Sequence, residues 1–209
     1  MGFDNISSRN ILLLASSSPR RHTMLKEFIP NLRVGAVPAI QEIIPSKGDV
    51  CFVAQALALQ KLQAVLAGSL SDSIRFVLTA DTLVAHGEHI LGKPLHIQEA
   101  KHMLLGHLGQ THTVVSAAWL FDRQTQIEYP LQETAQVYFK SMCAETIEVI
   151  AQYLRLKPPH GPLDKAGAYG IQEPLVGDNL IDRIEGSYEA IVGFPLKSFM
   201  NLFQPLCRS

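Results

Sequence analysis

The chain has 209 residues, with 18 basic and 19 acidic side chains and a formal net charge of −1, so it lacks the broad positive field that would hold a nucleic acid polymer. Its length suffices for one domain, 1–209, with a buried core. The cysteines Cys51, Cys143 and Cys207 form no Cys-x-x-Cys pair, which speaks for a reducing cytosol and against a disulfide framework or a structural zinc site.

Ile11 to Ala15 reads as a buried strand; its five apolar residues fall short of a signal-peptide core, and no export is expected. No stretch approaches the roughly 20 apolar residues that cross a bilayer, so the expectation is a soluble, cytoplasmic protein without a membrane partner. A helix from Pro19 to Phe28 follows, with Met24, Leu25 and Phe28 facing inward. Ser18 suits its cap and Pro19 its first position, where no amide hydrogen is needed. Arg20 and Arg21 then fall in the first turn, where the helix dipole gives cations nothing. The pair is either a solvated surface feature or a grip on phosphate shared with the free amides of that turn.

Glu42 lies among Ala39, Ile40, Ile43 and Ile44, as an ordinary solvated loop residue or as the partner of a cation. Val50 to Ala67 carries an apolar helical stripe through Ala54, Leu57, Ala58, Leu62 and Val65, with Lys61 on its margin, either snorkelling or reaching a cleft. Ile74 to Leu78 resembles a strand covered on both faces. It is expected to deliver Thr79, Ala80, Asp81 and Thr82 at its C-terminal end, where open α/β sheets bind ligands. There Asp81 can cap a turn, ligate a metal or accept a proton from water. With Glu42 it makes a carboxylate pair of the kind that suits magnesium. Lys93, between Gly92 and Pro94, is a turn lysine in water or a phosphate ligand.

Ile97 to Leu108 is an expected helix closed by Gly109. Thr113 to Phe121 and Glu133 to Phe139 are expected strands that pair antiparallel. A helix over Ala144 to Arg155 is expected to turn Ile147, Ile150, Ala151 and Leu154 inward, with Lys157, Pro158 and Pro159 ending it. Gly161 to Gly170 reads as a loop, Ile181 to Ile184 as a strand and Leu196 to Leu202 as a final helix. In the segment Asp164 to Gln172, small residues allow close backbone approach to a ligand, and the planar amide of Gln172 complements the imide edge of uracil or thymine. The eight histidines show no His-x-x-x-His or His-Glu-x-x-His spacing, so no histidine metal site is expected. The complete Gly-x-x-x-x-Gly-Lys-[Ser/Thr] phosphate loop and a Gly-x-Ser-x-Gly elbow are also missing.

Taken in order, these segments resemble the Maf family of nucleoside triphosphate pyrophosphatases. The similarity runs through Ala15 to Arg21, Ala58 to Lys61, Ala80 to Val84, Leu91 to Pro94, Gly109 to Val114, Asp164 to Gln172, Ile184 to Tyr188 and Val192 to Pro195. It implies an α/β fold with an elongated mixed central sheet flanked by helices, two lobes around a deep cleft, frequent dimerisation (here a homodimer) and hydrolysis of a nucleotide to its monophosphate and pyrophosphate. By position, Asp81 resembles the family's proton acceptor. Arg20, Thr82 and Gln172 fall where its specificity groups differ and resemble the members acting on dTTP and UTP. Ser16, Arg21, Glu42, Lys61 and Lys93 match further cleft positions, while Gln41 departs from the acidic residue many members carry there. The implied reaction has Asp81, Glu42 and a divalent cation, magnesium or manganese, activating water against the α-phosphorus of an ordinary or modified pyrimidine nucleotide. The arginines and lysines hold its triphosphate. A nucleotide-binding regulator of cell division or septum formation with little turnover is the alternative.

Overall fold

The structure, a computed structural model, describes residues 11–158 and 160–207. In chain order the regular elements are β1 (Ile11–Ala15), α1 (Pro19–Lys26), β2 (Leu32–Gly35), α2 (Val50–Leu66), β3 (Ile74–His86), β4 (His89–Leu91), α3 (Ile97–His107), β5 (Thr111–Asp122), β6 (Ile127–Phe139) and α4 (Ala144–Tyr153). Two short 3-10 turns, Pro162–Asp164 and Ala166–Ala168, precede α5 (Pro174–Leu180), β7 (Ile181–Gly186), α6 (Tyr188–Val192) and α7 (Leu196–Leu206). One mixed sheet runs in the order β2-β1-β3-β5-β6-β7, with β4 added to β3. β1 pairs in parallel with β2 and β3, and the remaining pairings are antiparallel.

The two faces of β3 explain how the helices are arranged. Its odd-numbered residues Val77 and Leu83 pack on α2, against Leu62 and Val65 and against Ala54, Leu57 and Ala58 respectively. All five residues of the expected α2 stripe are buried, and Asp49 caps this helix by accepting from the backbone N–H groups of Cys51 and Phe52. On the opposite face, Phe76, Leu78 and Ala80 join Leu25 of α1 and Phe199 and Phe203 of α7. Val84, on that same face, joins a different core with Leu104 of α3, Ile150 and Tyr153 of α4, and Val176 and Leu180 of α5. One helix thus backs the sheet while two helical groups share its other face and part at Thr82. That parting lies beside the cleft between lobes.

Several expectations are corrected. The strand expected to end at Leu78 continues for eight further residues, so Asp81 lies inside β3 and not at its C-terminal end. Thr79, Asp81 and Thr82 interrupt the apolar run, but antiparallel pairing with β5 carries the strand through them. β6 begins at Ile127, six residues before the expected Glu133. Its early part contains Pro130, tolerated because β7 pairs with β6 only from Ala135 onward and leaves that edge free. In α4 the buried positions are Thr146, Ile150 and Tyr153, whereas Ile147 is 44% exposed, a shift of one position in the expected face. Pro159, expected to help end α4, lies outside the described residues. β2, β4, α5 and α6 carried too little periodicity to be anticipated. α5, for instance, has seven residues and includes Gly177. Among the described residues, no helix is long and apolar enough to cross a membrane.

Candidate active site

The cleft opens on a gap in strand pairing. β1 meets β3 as far as Leu78, and β4 meets it again only at Val84, so Thr79 to Leu83 have no strand partner on that edge. Exposed strand edges present bare N–H and C=O groups that need other partners. Arg21 supplies one, since its Nη1 donates to the Ala80 carbonyl at 2.9 Å.

Asp81 leaves β3 on the α2 face, where its carboxylate accepts a hydrogen bond from the Lys61 ammonium. Lys61 Nζ also lies 3.1 Å from Glu42 Oε1, so one ammonium is shared by two carboxylates. Lys61 and Asp81 are each 12% exposed at the side chain and Glu42 is 38% exposed. The first two are held by regular elements and the third reaches in from the loop before α2. Oxygen donors that already converge on one cation fit a hard divalent ion, which Asp81 and Glu42 would hold.

Thr82 leaves β3 on the opposite face. Its hydroxyl donates to the Gly193 carbonyl at 3.1 Å, lies 2.7 Å from Ser116 Oγ and accepts from Arg21 Nη2 at 2.9 Å. Arg21 Nε donates to the same Gly193 carbonyl at 2.7 Å, and Nη1 also reaches Ser16 Oγ at 3.4 Å. Four interactions therefore commit the guanidinium to the cleft wall. Burial pushes it below its ordinary pKa, opposed by the nearby Asp81 and Glu42 carboxylates and reinforced by Arg20. Arg20, its neighbour, points elsewhere and pairs with Asp164 at 3.1 Å. The two adjacent arginines of α1 thus diverge, one into the frame and one towards the opposite lobe.

That lobe presents the segment after α4, built around a buried cation. Lys165 is 3% exposed; its ammonium donates to the Gly161 carbonyl at 2.7 Å and to Asp164 at 2.8 Å. Burial alone would raise the Asp164 pKa, but Lys165 and Arg20 outweigh it and hold the carboxyl below its usual value. Gly167 and Ala168 both have φ of 66°, and a side chain at 167 would meet Val84 at 3.2 Å. The left-handed Ala168 is a strained residue that the surrounding packing must hold. Gly167 N–H donates to the Gly92 carbonyl at 3.0 Å, which draws this segment and the Gly92–Pro94 turn together.

A cavity of about 820 Å³ is lined by Ser16, Arg20, Arg21, Glu42, Lys61, Asp81, Thr82, Lys93 and Gln172. Residues read from six separate stretches of sequence therefore meet in one place. Lys93 and Gln172 are exposed at its rim. Asp164 and Lys165, which the sequence marks only as part of the Asp164–Gln172 segment, and Ser116 and Gly193 are contributors to the site without an expected role of their own. For Asp164 and Lys165 the signal was adjacent opposite charges within a glycine-rich stretch, whereas Gly193 acts through its carbonyl, which no side-chain pattern reports.

The Maf-like protein family matches residues 11–206. Similar proteins include a dTTP/UTP pyrophosphatase of Vibrio parahaemolyticus, 36% identical, with 92% of this chain and 95% of that protein aligned. Another, from Desulfitobacterium hafniense, is 37% identical over 92% of this chain and 83% of its own length. A third, from Bacillus cytotoxicus, is 38% identical over 88% and 89%. A match over nearly every described residue, together with relatives aligned over most of their own lengths, shows that this chain belongs to the Maf family.

Proposed function

We propose that the chain hydrolyses nucleoside triphosphates carrying uracil or thymine, dTTP and UTP, to the monophosphate and pyrophosphate. The observation that carries this reading is the convergence of Asp81, Glu42 and Lys61 inside a cleft whose rim bears Arg20, Lys93 and Gln172. The names of the relatives support the same substrates.

In this reading Asp81, rigid in β3, accepts the proton of a water aimed at the α-phosphorus. Lys61 pairs with Asp81 in the substrate-free cleft and turns to the phosphate oxygens when the triphosphate enters. Arg20 and Lys93 hold the β- and γ-phosphates, and negative charge leaving with pyrophosphate meets their cations. Such chemistry rests on positioning and charge stabilisation, which explains why the residues given roles here are cations and carboxylates. Asp81 and Glu42 would hold a divalent cation, whose chemistry there would be Lewis-acid stabilisation of the phosphoryl oxygens. Arg21, Ser16 and Thr82 keep the cleft wall in shape, and the Gln172 amide reads the imide edge of the base. Cys51, Cys143 and Cys207 form no disulfide, which supports a reducing, cytoplasmic setting, and the homodimer implied by the resemblance belongs to the same reading.

The test is incubation of purified protein with a nucleotide panel and magnesium or manganese, followed by assay of pyrophosphate. Release from dTTP and UTP in preference to purine triphosphates is the expected result. Nucleotide binding without pyrophosphate release overturns the reading in favour of a regulatory role.

A further inference from the structure

Three histidines that no sequence spacing links come together beyond the cleft: His86 at the end of β3, His107 at the end of α3 and His112 near the start of β5. One ring nitrogen from each lies within 4.8 Å of one from both others. Centroid separations are 5.0, 5.2 and 4.5 Å. His107 and His112 are 0% and 1% exposed, and His86 is half-buried.

Hydrogen bonding decides which nitrogens carry protons. His107 Nε2 lies 2.8 Å from the Gly167 carbonyl, which can only accept, so Nε2 holds the hydrogen and Nδ1 of the neutral ring presents a lone pair. That Nδ1 faces His86 Nε2 at 2.8 Å. His112 Nε2 lies 2.7 Å from the Tyr169 hydroxyl, while its Nδ1 is buried without a hydrogen-bond partner. Two rings are thus anchored through Nε2 to oxygens of the Gly167–Tyr169 segment, with Nδ1 of His107 turned to His86 and Nδ1 of His112 left over. Metal-binding imidazoles are oriented in this way, by an N–H given to a carbonyl or hydroxyl. Burial also keeps the rings neutral, the ligating form. It pushes His107 down to about 4 and His112 down to about 2, and lowers His86.

We propose that His86, His107 and His112 bind one transition-metal dication, zinc in the first instance, at a site separate from the carboxylates of the cleft. Nitrogen donors select zinc over magnesium, whereas the oxygen donors of Asp81 and Glu42 have the opposite preference. An ion here fastens β3, α3 and β5 to the Gly167 carbonyl and to the Tyr169 hydroxyl, the latter three residues before Gln172 at the base-facing rim. It acts as a clasp on the strained segment containing Ala168. The sequence-based expectation of no histidine metal site overlooked it because its members come from three elements.

The full chain is stripped with a chelator, incubated with zinc in excess magnesium, desalted and assayed for retained metal and thermal midpoint. Cobalt(II) serves as a spectroscopic probe. The expected result is one zinc retained per chain, a raised midpoint and the visible absorption of nitrogen-ligated cobalt. His86→Gln, at the half-buried position where a folded protein is expected, loses retention at least tenfold with unchanged circular dichroism, while Asp81→Asn retains zinc fully. Failure of the unsubstituted chain to hold zinc overturns the proposal. So does equal retention by His86→Gln, or loss of zinc in Asp81→Asn but not in His86→Gln.

Discussion

Asp81 and Thr82 are consecutive residues of β3, yet the neighbourhoods they enter differ in kind. On the α2 face Asp81 meets two more charges, Lys61 and Glu42, whose partners can be exchanged when another ion arrives. On the opposite face the Thr82 hydroxyl joins Arg21, Ser116 and Gly193 in a network where every group is already occupied. One strand therefore carries both the proposed reaction centre and a frame. The lesson is that a side chain lining a cleft is not thereby available to a ligand. Arg21 touches the cavity but spends its donors on the protein.

The sharpest way to break this contrast is Asp81→Asn. Losing a positioned general base is expected to lower kcat for dTTP by roughly 10²- to 10⁴-fold with little change in thermal midpoint, measured by pyrophosphate release and melting. Retained turnover ends the role given to Asp81. Arg21→Met is expected to do the reverse and act first on stability. It strips buried acceptors at Ala80, Thr82 and Gly193, each costing about 1–3 kcal/mol if left bare, and each kcal/mol lowers the midpoint by roughly 2–4 °C in a protein of this size. A variant that melts normally but no longer binds nucleotide moves Arg21 from frame to ligand.

Gln172→Ala probes the rim, where the partner is the base and not the triphosphate. One neutral hydrogen bond is worth about 1 kcal/mol, so the preference for UTP over GTP in kcat/KM is expected to fall by a few-fold. An unchanged ratio rejects base reading by this amide. The smallest effect expected is on acid stability. Because Lys165 and Arg20 hold the Asp164 carboxyl below its ordinary value, its stabilising contribution is complete above about pH 4 and disappears as pH falls below that. Urea midpoints across pH 3 to 6 for the unsubstituted chain and Asp164→Asn test this, with the two curves expected to converge at the acid end.

Which parts were legible in the sequence follows from how far apart the interacting residues are. The α2 stripe was read residue by residue because helical periodicity is local, and the β5–β6 hairpin was recognisable from alternation. The carboxylates and cations could be named one at a time from their awkward settings, such as Glu42 among isoleucines. Their assembly depended on the family resemblance. The length of β3 was hidden because polar residues at 79, 81 and 82 look like the end of an apolar run. Only pairing to β5 makes them part of a strand. The divergence of Arg20 and Arg21 was equally invisible, since it depends on Gly193 and Asp164, more than 140 residues away. The histidines failed the spacing test for the same reason.

The double pairing of Lys61 also bears on which anions the empty cleft resists. An ammonium already neutralised by two carboxylates offers little attraction to a small solute such as inorganic phosphate, which must displace both without bringing contacts of its own elsewhere. A nucleotide reaches Arg20, Lys93 and Gln172 at the same moment and can compensate for that displacement. The resting ion triplet thus works as a threshold that inorganic phosphate alone does not pass, and inhibition of turnover by added phosphate is expected to be weak.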